Sequence, residues 1–461
     1  MKHRRVFVGV LSMAYGKVVI ALIQLAMVPV LANAWGLPLY GQWLLLSTVP
    51  VFLAAGDFGF GTAGGNRLIG EVAQGDNDAA RITFQSALAV MLGCSVAMLA
   101  LMIGISALIP GRLLAVSDGM DAEAARSVLI VLCAYGVVAM QLSLFKAAMR
   151  AQGRFALSAT VESTVQLAEG LAVIAVALSG GTPLHAAIAY LVVQSLGVAG
   201  HVVLALHYAK WLVLGFRDAS RARMSELLRP ALAAMMLPLA QAGYLQGTAL
   251  AVGAASGAAT VPVFTSLRTL SRVGLQFLLA ITKPILPEFT AEHARGNLPW
   301  LARITGAMTT FNALTGTAAA LVLLLAGNPL LAWWTKGAIA APPAMIALTA
   351  AALLAGSIWN PMSDFLVAVN RHAGFTYVYA VAACLTIGLS YLFVRHWGVT
   401  GAAAANLMLE IVMLGCVFVQ LRRLTGPFPL GLSALSILVP QHWRRAIRAR
   451  LPRRSANTGA E

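Results

Sequence analysis

Positively charged side chains lie inside long apolar segments of the sequence, where a charge is costly. Arg268 and Arg272 are four residues apart in one such segment, which places them on one face of a helix that Gln276 continues. In another segment, Lys17 is followed one heptad later by Gln24. Ionisable groups at such positions face a cavity or a charged partner, and the guanidinium fork pairs well with phosphate oxygens. These positions indicate anion binding, with neutralisation of buried carboxylates between helices as the alternative.

Carboxylates also lie in apolar segments, some of them beside amide side chains. Glu162 and Glu169 are seven residues apart, with Gln166 between them on the same helical face, and Asp57 and Asp364 lie in two other segments. A carboxylate in a low-dielectric environment can bind and release a proton near neutral pH. The four acids are therefore candidates for proton coupling, and Glu169 is the best placed because it is nearest the middle of its segment.

Structural roles stay open for the acids. Asp57 lies in a Gly-Asp-Phe-Gly stretch, where a helix cap or kink is expected. Glu410, one turn after Asn406, is expected to bond to a neighbouring helix. Neither a metal site nor a disulfide is predicted, because no CxxC spacing occurs among the cysteines. All of these lie in apolar segments, at Cys94, Cys133, Cys384 and Cys416.

The composition indicates that the apolar segments are membrane helices. Of the 461 residues, 59% are hydrophobic and 10% are charged, which leaves too little polar surface to cover a soluble core. A helix that spans a membrane needs about 20 mainly apolar residues. The sequence therefore predicts an all-α polytopic membrane protein of about twelve transmembrane helices. The predicted spans are roughly 8–33, 42–63, 84–109, 127–148, 157–179, 186–208, 231–252, 262–286, 304–326, 343–366, 374–394 and 401–421.

The basic residues are distributed unevenly among the loops. With the N-terminus in the cytoplasm, 24 of the 32 Lys and Arg residues lie on the cytoplasmic side and four lie in outer loops. Such an excess in cytoplasmic loops is typical of membrane proteins. The net charge of +16 therefore reflects the orientation of the protein in the membrane and does not indicate nucleic-acid binding. The same distribution predicts that both termini are cytoplasmic.

A short polar motif occurs twice, about half the chain length apart. Residues 71–83 have the sequence EVAQGDNDAARIT, residues 292–305 have the sequence EHARGNLPWLARIT, and each follows an even-numbered span. Two six-span halves in parallel orientation would place both copies in equivalent cytoplasmic loops, although short polar turns also converge by chance. The predicted organisation is an N-terminal six-helix lobe at 1–209, a basic cytoplasmic linker at 210–229, a C-terminal six-helix lobe at 230–424 and an amphipathic, basic tail at 425–461. With its Trp and arginines, that tail is expected to lie on anionic membrane lipids.

Three stretches resemble one superfamily of transporters. Residues 35–76 contain a Gly-x-x-x-Tyr-Gly entry to the second span, residues 146–162 have the sequence KAAMRAQGRFALSATVE, and residues 369–410 contain a Gly-x-x-Gly-Ala-Ala-Ala start of the last span. The chain resembles the multidrug/oligosaccharidyl-lipid/polysaccharide (MOP) flippase superfamily, specifically its O-antigen flippase-like (Wzx-type) branch.

That resemblance implies a V-shaped pair of six-helix bundles, related as parallel repeats, in a bacterial inner membrane. It implies a flippase that moves an oligosaccharide on undecaprenyl pyrophosphate to the outer leaflet, for biosynthesis of O-antigen, exopolysaccharide or capsule. A polysaccharide polymerase and chain-length machinery are the protein partners that it implies.

On this hypothesis, the intramembrane cations have a defined ligand. Arg268, Arg272 and Lys17 would receive the pyrophosphate. Asn66 and Arg67 would admit the headgroup from the cytoplasm, although ordinary loop charge explains them equally well. Polar groups that would face the sugars, or else make interhelical hydrogen bonds, are Gln194, His201, Gln241, Tyr244 and Thr248.

An enzyme and a drug transporter are the competing functions. Membrane glycosyltransferases and polymerases need a carboxylate pair or a metal site beside a substantial groove, whereas the acids of the outer loop at 110–126 lack DxD spacing. No Gly-rich phosphate loop ending in Lys-Ser or Lys-Thr occurs, so no nucleotide cofactor is predicted. Multidrug/cation antiporters of the same superfamily favour an acidic, aromatic cavity, and the two deep arginines argue for an anion instead.

Overall fold

A computed structural model describes residues 2–55, 59–111, 119–282, 285, 289, 292–293, 295–369, 371, 373–431 and 434–435. Thirteen α-helices make up most of this described part of the chain. The first seven are α1 (Lys2–Leu46), α2 (Thr48–Ala55), α3 (Phe60–Ala73), α4 (Asn77–Leu108), α5 (Ala122–Ala151), α6 (Phe155–Leu178) and α7 (Pro183–Tyr208). The other six are α8 (Arg221–Ser256), α9 (Val261–Thr282), α10 (Leu298–Thr335), α11 (Pro343–Ala368), α12 (Ala373–Trp397) and α13 (Thr400–Thr425).

The helices present apolar side chains on the outside of the molecule. Within the described residues, nine helical segments are long and apolar enough to cross a membrane. Leu108, Leu325 and Trp333 are 84%, 80% and 81% exposed. Such exposure is unfavourable in water but not against lipid tails, which are as apolar as leucine. The chain is therefore a multi-pass, all-α membrane protein, and the predicted fold class is confirmed.

The predicted span 42–63 falls in three helices, because it takes in the end of α1, all of α2 and the start of α3. α2 ends at Ala55 and α3 begins at Phe60. Gly59, the N-cap of α3, has a φ of 69°, and a Cβ atom there would lie 1.9 Å from the carbonyl oxygen of Ala231. Only glycine tolerates both the left-handed backbone and this close approach of α8.

Two further predicted spans, 231–252 and 262–286, lie in α8 and α9. α8 begins ten residues before the predicted span, at Arg221. Its first turns are polar and are held by ion pairs, because Arg223 lies 3.0 Å from the Glu71 carboxylate of α3. The basic segment that was predicted to be a linker therefore supplies the first turns of a long helix.

The two copies of the repeated motif fold into the same turn. Each contains a glycine in the left-handed conformation, Gly75 at φ 82° and Gly296 at φ 71°. The next residue caps a helix: the Asp76 carboxylate accepts a backbone hydrogen bond from α4 at 2.9 Å, and the Asn297 side chain accepts one from α10 at 3.3 Å. In each copy the backbone N–H of the cap also donates to the glutamate carbonyl five residues earlier, at 3.0 Å. Both copies form the turn that starts the next helix, and the first copy also ends α3.

The chain packs as two compact units. Unit 1 comprises Met1–Thr269, Ala326–Ile346 and Ala380–Asn406, and unit 2 comprises Leu270–Leu325, Ala347–Tyr379 and Leu407–Glu461. The core of unit 1 contains two buried apolar clusters, one around Trp43 and one around Phe84. In unit 2, the rings of Phe289 and Phe365 stack with centroids 4.4 Å apart. The lobe boundaries at residues 209 and 230 stay a prediction, as does the tail, most of which lies outside the described residues.

The first part of the predicted linker at 210–229 is packed against α4. The side chain of Gln85 donates to the Val213 carbonyl at 3.1 Å and accepts from the Asp218 backbone N–H at 2.6 Å. Arg81 lies 2.9 Å from the Asp218 carboxylate. Because these bonds fix the linker at several points, it is a docked segment of unit 1.

Candidate functional site

Two adjoining polar cavities lie among the helices of unit 1. The polar cavity, of about 270 Å³, is lined by α5, α6 and α7, and the basic cavity, of about 320 Å³, by α1, α5 and α6. The charged and amide side chains of the polar cavity are Lys146, Glu162, Gln166, Glu169, Gln194 and His201. Those of the basic cavity are Lys17, Lys146, Arg150, Glu162 and Gln166. The two cavities share three polar lining residues, Lys146, Glu162 and Gln166.

Small residues bring the cavity-forming helices together. A Cβ atom on Gly16 of α1 would lie 2.7 Å from Ser163 Oγ of α6, and one on Gly170 of α6 would lie 2.8 Å from Ile23 of α1. Close approach of this kind is how helices pack in membranes, where small residues form the contact. The Gly16 contact places the adjacent Lys17 beside α6, where it lines the basic cavity.

An ion pair lines both cavities. Lys146 Nζ of α5 lies 2.6 Å from Glu162 Oε1 of α6, and the two side chains are 31% and 27% exposed. The pair is accessible to a ligand on either side because both residues line both cavities. A phosphate oxygen could therefore replace the Glu162 carboxylate as the partner of Lys146 without a large rearrangement.

Glu169 is the most buried acid of the polar cavity, at 6% exposure. The Tyr135 hydroxyl donates to Glu169 Oε2 at 3.5 Å, which is a weak bond, and Glu169 Oε1 has no hydrogen-bond partner among the described residues. Tyr135 packs on Tyr190, which stacks in turn on Trp43, with centroids 5.3 and 5.9 Å apart. The predicted coupling residue therefore has an oxygen available for a proton or a ligand, beside an aromatic cluster.

Of the predicted sugar-facing groups, Gln194 and His201 line the polar cavity. Both are buried, at 7% and 1% exposure. The ring nitrogens of His201 lie 3.0 Å from the Gly197 carbonyl of its own helix and 3.3 Å from the Ser158 carbonyl of α6. Both ring nitrogens of His201 therefore face backbone carbonyls, and the nitrogen that carries the proton donates either within α7 or across to α6. Gln194 adds an amide to the lining.

The basic cavity contains two cations besides Lys146. Lys17 and Arg150 are exposed, and within the described part of the chain neither forms an ion pair. Glu162 is the carboxylate among the lining residues. Three cations against one carboxylate leave the lining net positive, which favours an anionic ligand.

Sequence reasoning missed Lys146 and Arg150. It assigned both to the cytoplasmic loop 146–154, whereas α5 continues to Ala151. Their spacing of four residues places them on one face of that helix. This spacing was the available signal, because Arg268 and Arg272 were selected by the same rule.

Arg268 is half-buried and bonded to the preceding helix. Its Nη1 donates to the Leu245 carbonyl at 2.8 Å and to Thr248 Oγ1 at 3.0 Å. Its guanidinium carbon also lies 5.0 Å from the centre of the Phe264 ring. The two hydrogen bonds connect α9 to α8, whereas the ring contact lies within α9. Arg268 is not among the residues that line the two cavities described above.

The other described membrane residues of the prediction are not among the residues that line these two cavities. Arg272 is exposed on α9, and Gln24 is exposed on α1. Asp364 is half-buried on α11. Asp57 and the side chain of Gln276 lie outside the described residues. The structure therefore places Lys17 and Glu162 in the basic cavity and Glu162 and Glu169 in the polar cavity. The other described candidates are not among these lining residues.

The predicted entrance residues differ in their contacts. Asn66 is exposed at the surface of α3. Arg67 lies 3.1 Å from the Glu71 carboxylate and 2.8 Å from that of Glu226 on α8. Arg67 is thus part of an ion-pair cluster that holds α3 against the start of α8.

Glu410 makes the helix-to-helix bond predicted from its position. The indole N–H of Trp359 on α11 donates to Glu410 Oε2 on α13 at 2.5 Å. The Trp359 ring also lies 6.4 Å from that of Tyr379. Glu410 therefore connects two helices of unit 2.

Comparison with known proteins finds similarity in structure and not in sequence. No family model matches the sequence, and no curated protein sequence matches it. Solved structures with the same fold include an inward-facing multidrug resistance MATE family transporter of the MOP superfamily, with a TM-score of 0.69 at 17% identity, covering 91% of this chain and 100% of that one.

Two further structures extend this similarity. The lipid II flippase MurJ, in an inward closed conformation, has a TM-score of 0.71 at 12% identity, covering 93% of this chain and 89% of that one. A MOP superfamily transporter from Pyrococcus furiosus, with a binding pocket of reverse polarity, has a TM-score of 0.62 at 16% identity, covering 94% and 96%. At such identities the similarity shows the fold, and the fold is that of MOP superfamily transporters and flippases.

Proposed function

We propose that this protein is a flippase for an anionic, lipid-linked oligosaccharide. It would move the headgroup from the cytoplasmic to the outer leaflet of a bacterial inner membrane by alternating access. The observation that carries the proposal is the basic cavity, where Lys17, Lys146 and Arg150 lie together with Glu162 as the carboxylate of the lining. A net positive, polar cavity among apolar helices suits a phosphate-bearing headgroup.

The two cavities suit different parts of such a substrate. Lys17 and Arg150 of the basic cavity would bind the pyrophosphate, and Lys146 would join them when Glu162 is displaced. The polar cavity presents the amides of Gln166 and Gln194, which match sugar hydroxyl groups. The polyprenyl chain would stay in the lipid.

On α9 and α3, one residue of each helix would contact the substrate and another holds the helix in place. Arg272 is exposed and stays a candidate ligand for the pyrophosphate. Arg268 is bonded to α8 through Nη1, so its main part is to fix α9. Asn66 would meet the headgroup on entry, while Arg67 holds the helices of that entrance in place.

A structural neighbour and the charge pattern support this assignment. The neighbour named a lipid II flippase has the same fold, so the fold is compatible with a lipid-linked cargo. The Lys and Arg distribution supports cytoplasmic termini. Single cysteines in a Cys-free background test the orientation. A cysteine at the exposed Gln74 should react only after the membrane is permeabilised, and one at the exposed Ser179 should react in intact spheroplasts. A polysaccharide polymerase and chain-length machinery would use the exported product.

Gene deletion followed by analysis of polyprenyl-linked intermediates tests the proposed cargo. We expect a lipid-linked oligosaccharide to accumulate and surface polysaccharide to fall. Wild-type protein should restore export, and Lys17→Ala/Arg150→Ala should not, because it removes both unpaired cations of the basic cavity. The matched control is Lys210→Ala/Arg217→Ala, which removes the same charge from exposed linker positions. Normal export by the cavity variant at equal protein level would contradict the proposal.

A multidrug/cation antiporter is the second candidate. The observation in its favour is Glu169, a buried acid beside the Tyr135, Tyr190 and Trp43 rings, since aromatic faces and carboxylates attract organic cations. Ethidium efflux from cells that overproduce the protein separates the two functions. Efflux that Glu169→Gln abolishes and Lys17→Ala/Arg150→Ala leaves intact would favour the antiporter.

The proposed reaction is translocation without bond cleavage. Lipid-linked substrate recovered from proteoliposomes after transport should therefore have an unchanged mass. Release of phosphate or transfer of a sugar would instead favour a membrane glycosyltransferase or polymerase.

A further inference from the structure

A third cavity lies in unit 2 and carries two arginines. Its volume is about 400 Å³. It is lined by His293, Leu366, Arg371, Gln420, Arg423 and Leu424. None of these residues belongs to the polar or the basic cavity, and we refer to this site as the arginine cavity.

Three segments of the chain converge to form it. Arg371 follows α11, and its backbone N–H donates to the Leu366 carbonyl at 2.8 Å. Arg423 lies in the last turn of α13. Gln420, one turn earlier, packs against the first turn of α12, since a Cβ atom on Gly374 would lie 3.0 Å from its amide. The two guanidinium groups are therefore brought to one cavity by elements that are far apart in sequence.

The described lining residues carry positive charge and include no acid. Arg371 and Arg423 are exposed, and neither forms an ion pair within the described part of the chain. Among the residues that the structure describes, no carboxylate belongs to the lining. Two guanidinium forks that face one volume are a typical arrangement for binding phosphate oxygens.

The nearest acid in sequence to the lining is already engaged in its own turn. Asn297 Nδ2 donates to Glu292 Oε2 at 2.6 Å, and Arg295 pairs with the other carboxylate oxygen. The Asn297 amide, together with Arg295, holds the pKa of Glu292 below its ordinary value because both stabilise the charged form. Glu292 precedes His293 but does not neutralise Arg371 or Arg423.

We propose that the arginine cavity binds a phosphate-bearing anion, with the headgroup of an anionic phospholipid as the occupant. Leu366 and Leu424 give the cavity an apolar side beside its two arginines, which matches a phosphate joined to glycerol and acyl chains. A soluble pyrophosphate would bind the arginines in the same way, but it has no apolar group that could contact the leucines. The positive-inside pattern alone does not explain the site, because orientation requires basic residues in a loop and not their convergence on one cavity. The inference does not depend on the proposed cargo.

The test uses the full-length protein in nanodiscs of phosphatidylcholine, with or without phosphatidylglycerol. Native mass spectrometry measures retained phosphatidylglycerol, and the melting temperature measures its stabilising effect. The test variant is Arg371→Gln/Arg423→Gln. The control, Arg422→Gln/Arg229→Gln, removes two exposed arginines, one adjacent to Arg423, that line none of the three cavities. A separate arm adds inorganic pyrophosphate to nanodiscs of pure phosphatidylcholine.

We expect the wild type and the control to retain phosphatidylglycerol and to melt at a higher temperature in its presence. In the test variant, affinity should fall by roughly tenfold or more, because each lost charge-assisted bond weakens binding by about that factor. Arg371→Lys/Arg423→Lys keeps the charge and loses the guanidinium forks, so its affinity for phosphatidylglycerol should lie between that of the wild type and that of the Gln variant. It replaces the Gln variant in the test if the Gln variant does not fold. Stabilisation by pyrophosphate alone, lost in the test variant, would assign the phosphate site to a soluble anion and overturn the lipid. Equal behaviour of all variants in both arms would overturn the site.

Discussion

The Lys146–Glu162 pair is weak enough to be exchanged for a ligand. Its atoms are 2.6 Å apart, but both side chains are about one-third exposed. Solvent screens such pairs, and they stabilise a fold by about 1 kcal/mol or less. A phosphate that offers Lys146 a better partner would therefore face a small cost in displacing Glu162.

Lys146→Met should reduce export at least tenfold, because it removes a cation that touches both cavities. The double variant Lys146→Met/Glu162→Gln distinguishes the two roles of the pair. It leaves no unpaired charge, so it should recover thermal stability but not export. Surface polysaccharide and melting temperature are measured together, with Lys210→Met as the control. Recovery of export by the double variant would mean that the pair is only structural.

Glu169 is expected to couple transport to protons. Glu169→Gln keeps the shape and the Tyr135 contact but cannot titrate, so substrate flux in proteoliposomes should no longer respond to an imposed pH gradient. Glu410→Gln is the matched control, because Glu410 is a membrane acid with its own bond to Trp359. If the wild type itself ignores the gradient, or if Glu410→Gln loses the response in place of Glu169→Gln, the assignment is wrong.

The repeated turn shows how a local element is specified twice. Gly75 and Gly296 both adopt positive φ, and the following Asp76 and Asn297 cap α4 and α10. Nothing lies within 4 Å of a Cβ atom built on either glycine. The requirement for glycine at these two positions is therefore set by backbone conformation and not by packing.

Gly75→Ala should destabilise the protein by about 1–2 kcal/mol, the cost of a left-handed alanine. Gly93→Ala is its control, since Gly93 lies inside α4 with open space around it, and alanine there should be neutral or stabilise by up to about 1 kcal/mol. Melting temperatures in detergent measure both. A Gly75→Ala variant as stable as Gly93→Ala would contradict the turn geometry.

The predicted linker is fixed to α4 by several contacts. The linker segment from Val213 to Ser220 is bonded to α4 through Gln85 and Ser86 and through the Arg81–Asp218 pair. The sequence suggested a flexible connection between two lobes. Because these bonds hold it, the linker would move together with α4.

Gln85→Leu should release this segment, because it removes two hydrogen bonds to the linker backbone and leaves those groups unpaired. Tryptic cleavage after Lys210 and Arg217 should accelerate by roughly tenfold, as expected for the loss of one to two bonds. Gln24→Leu, which replaces an exposed glutamine on α1, should cleave at the wild-type rate. An unchanged cleavage rate in Gln85→Leu would show that other contacts hold the linker.

The boundary of a helix decided which site residues could be predicted. Lys17, Glu162 and Glu169 were found because a charge within an apolar run is visible in sequence. Arg150 was missed because α5 extends past the predicted end of its span. Lys146 lies within that span, but it was counted with the cytoplasmic charges because it is near the end of the span. One partner of Arg268, the Leu245 carbonyl, was also invisible in the sequence, since it is a backbone group that any residue would supply.

The sequence alone determined that this chain is a bundle of membrane helices, and it predicted their orientation. The reason is that a bilayer leaves apolar segments one solution, the helix, in which every backbone group is paired locally. Tertiary structure decided which charges meet. Lys17, Arg150 and Glu162 come from three helices, and their convergence depends on close contacts such as Gly16 with Ser163. Such contacts join residues far apart in the chain, so no local pattern records them.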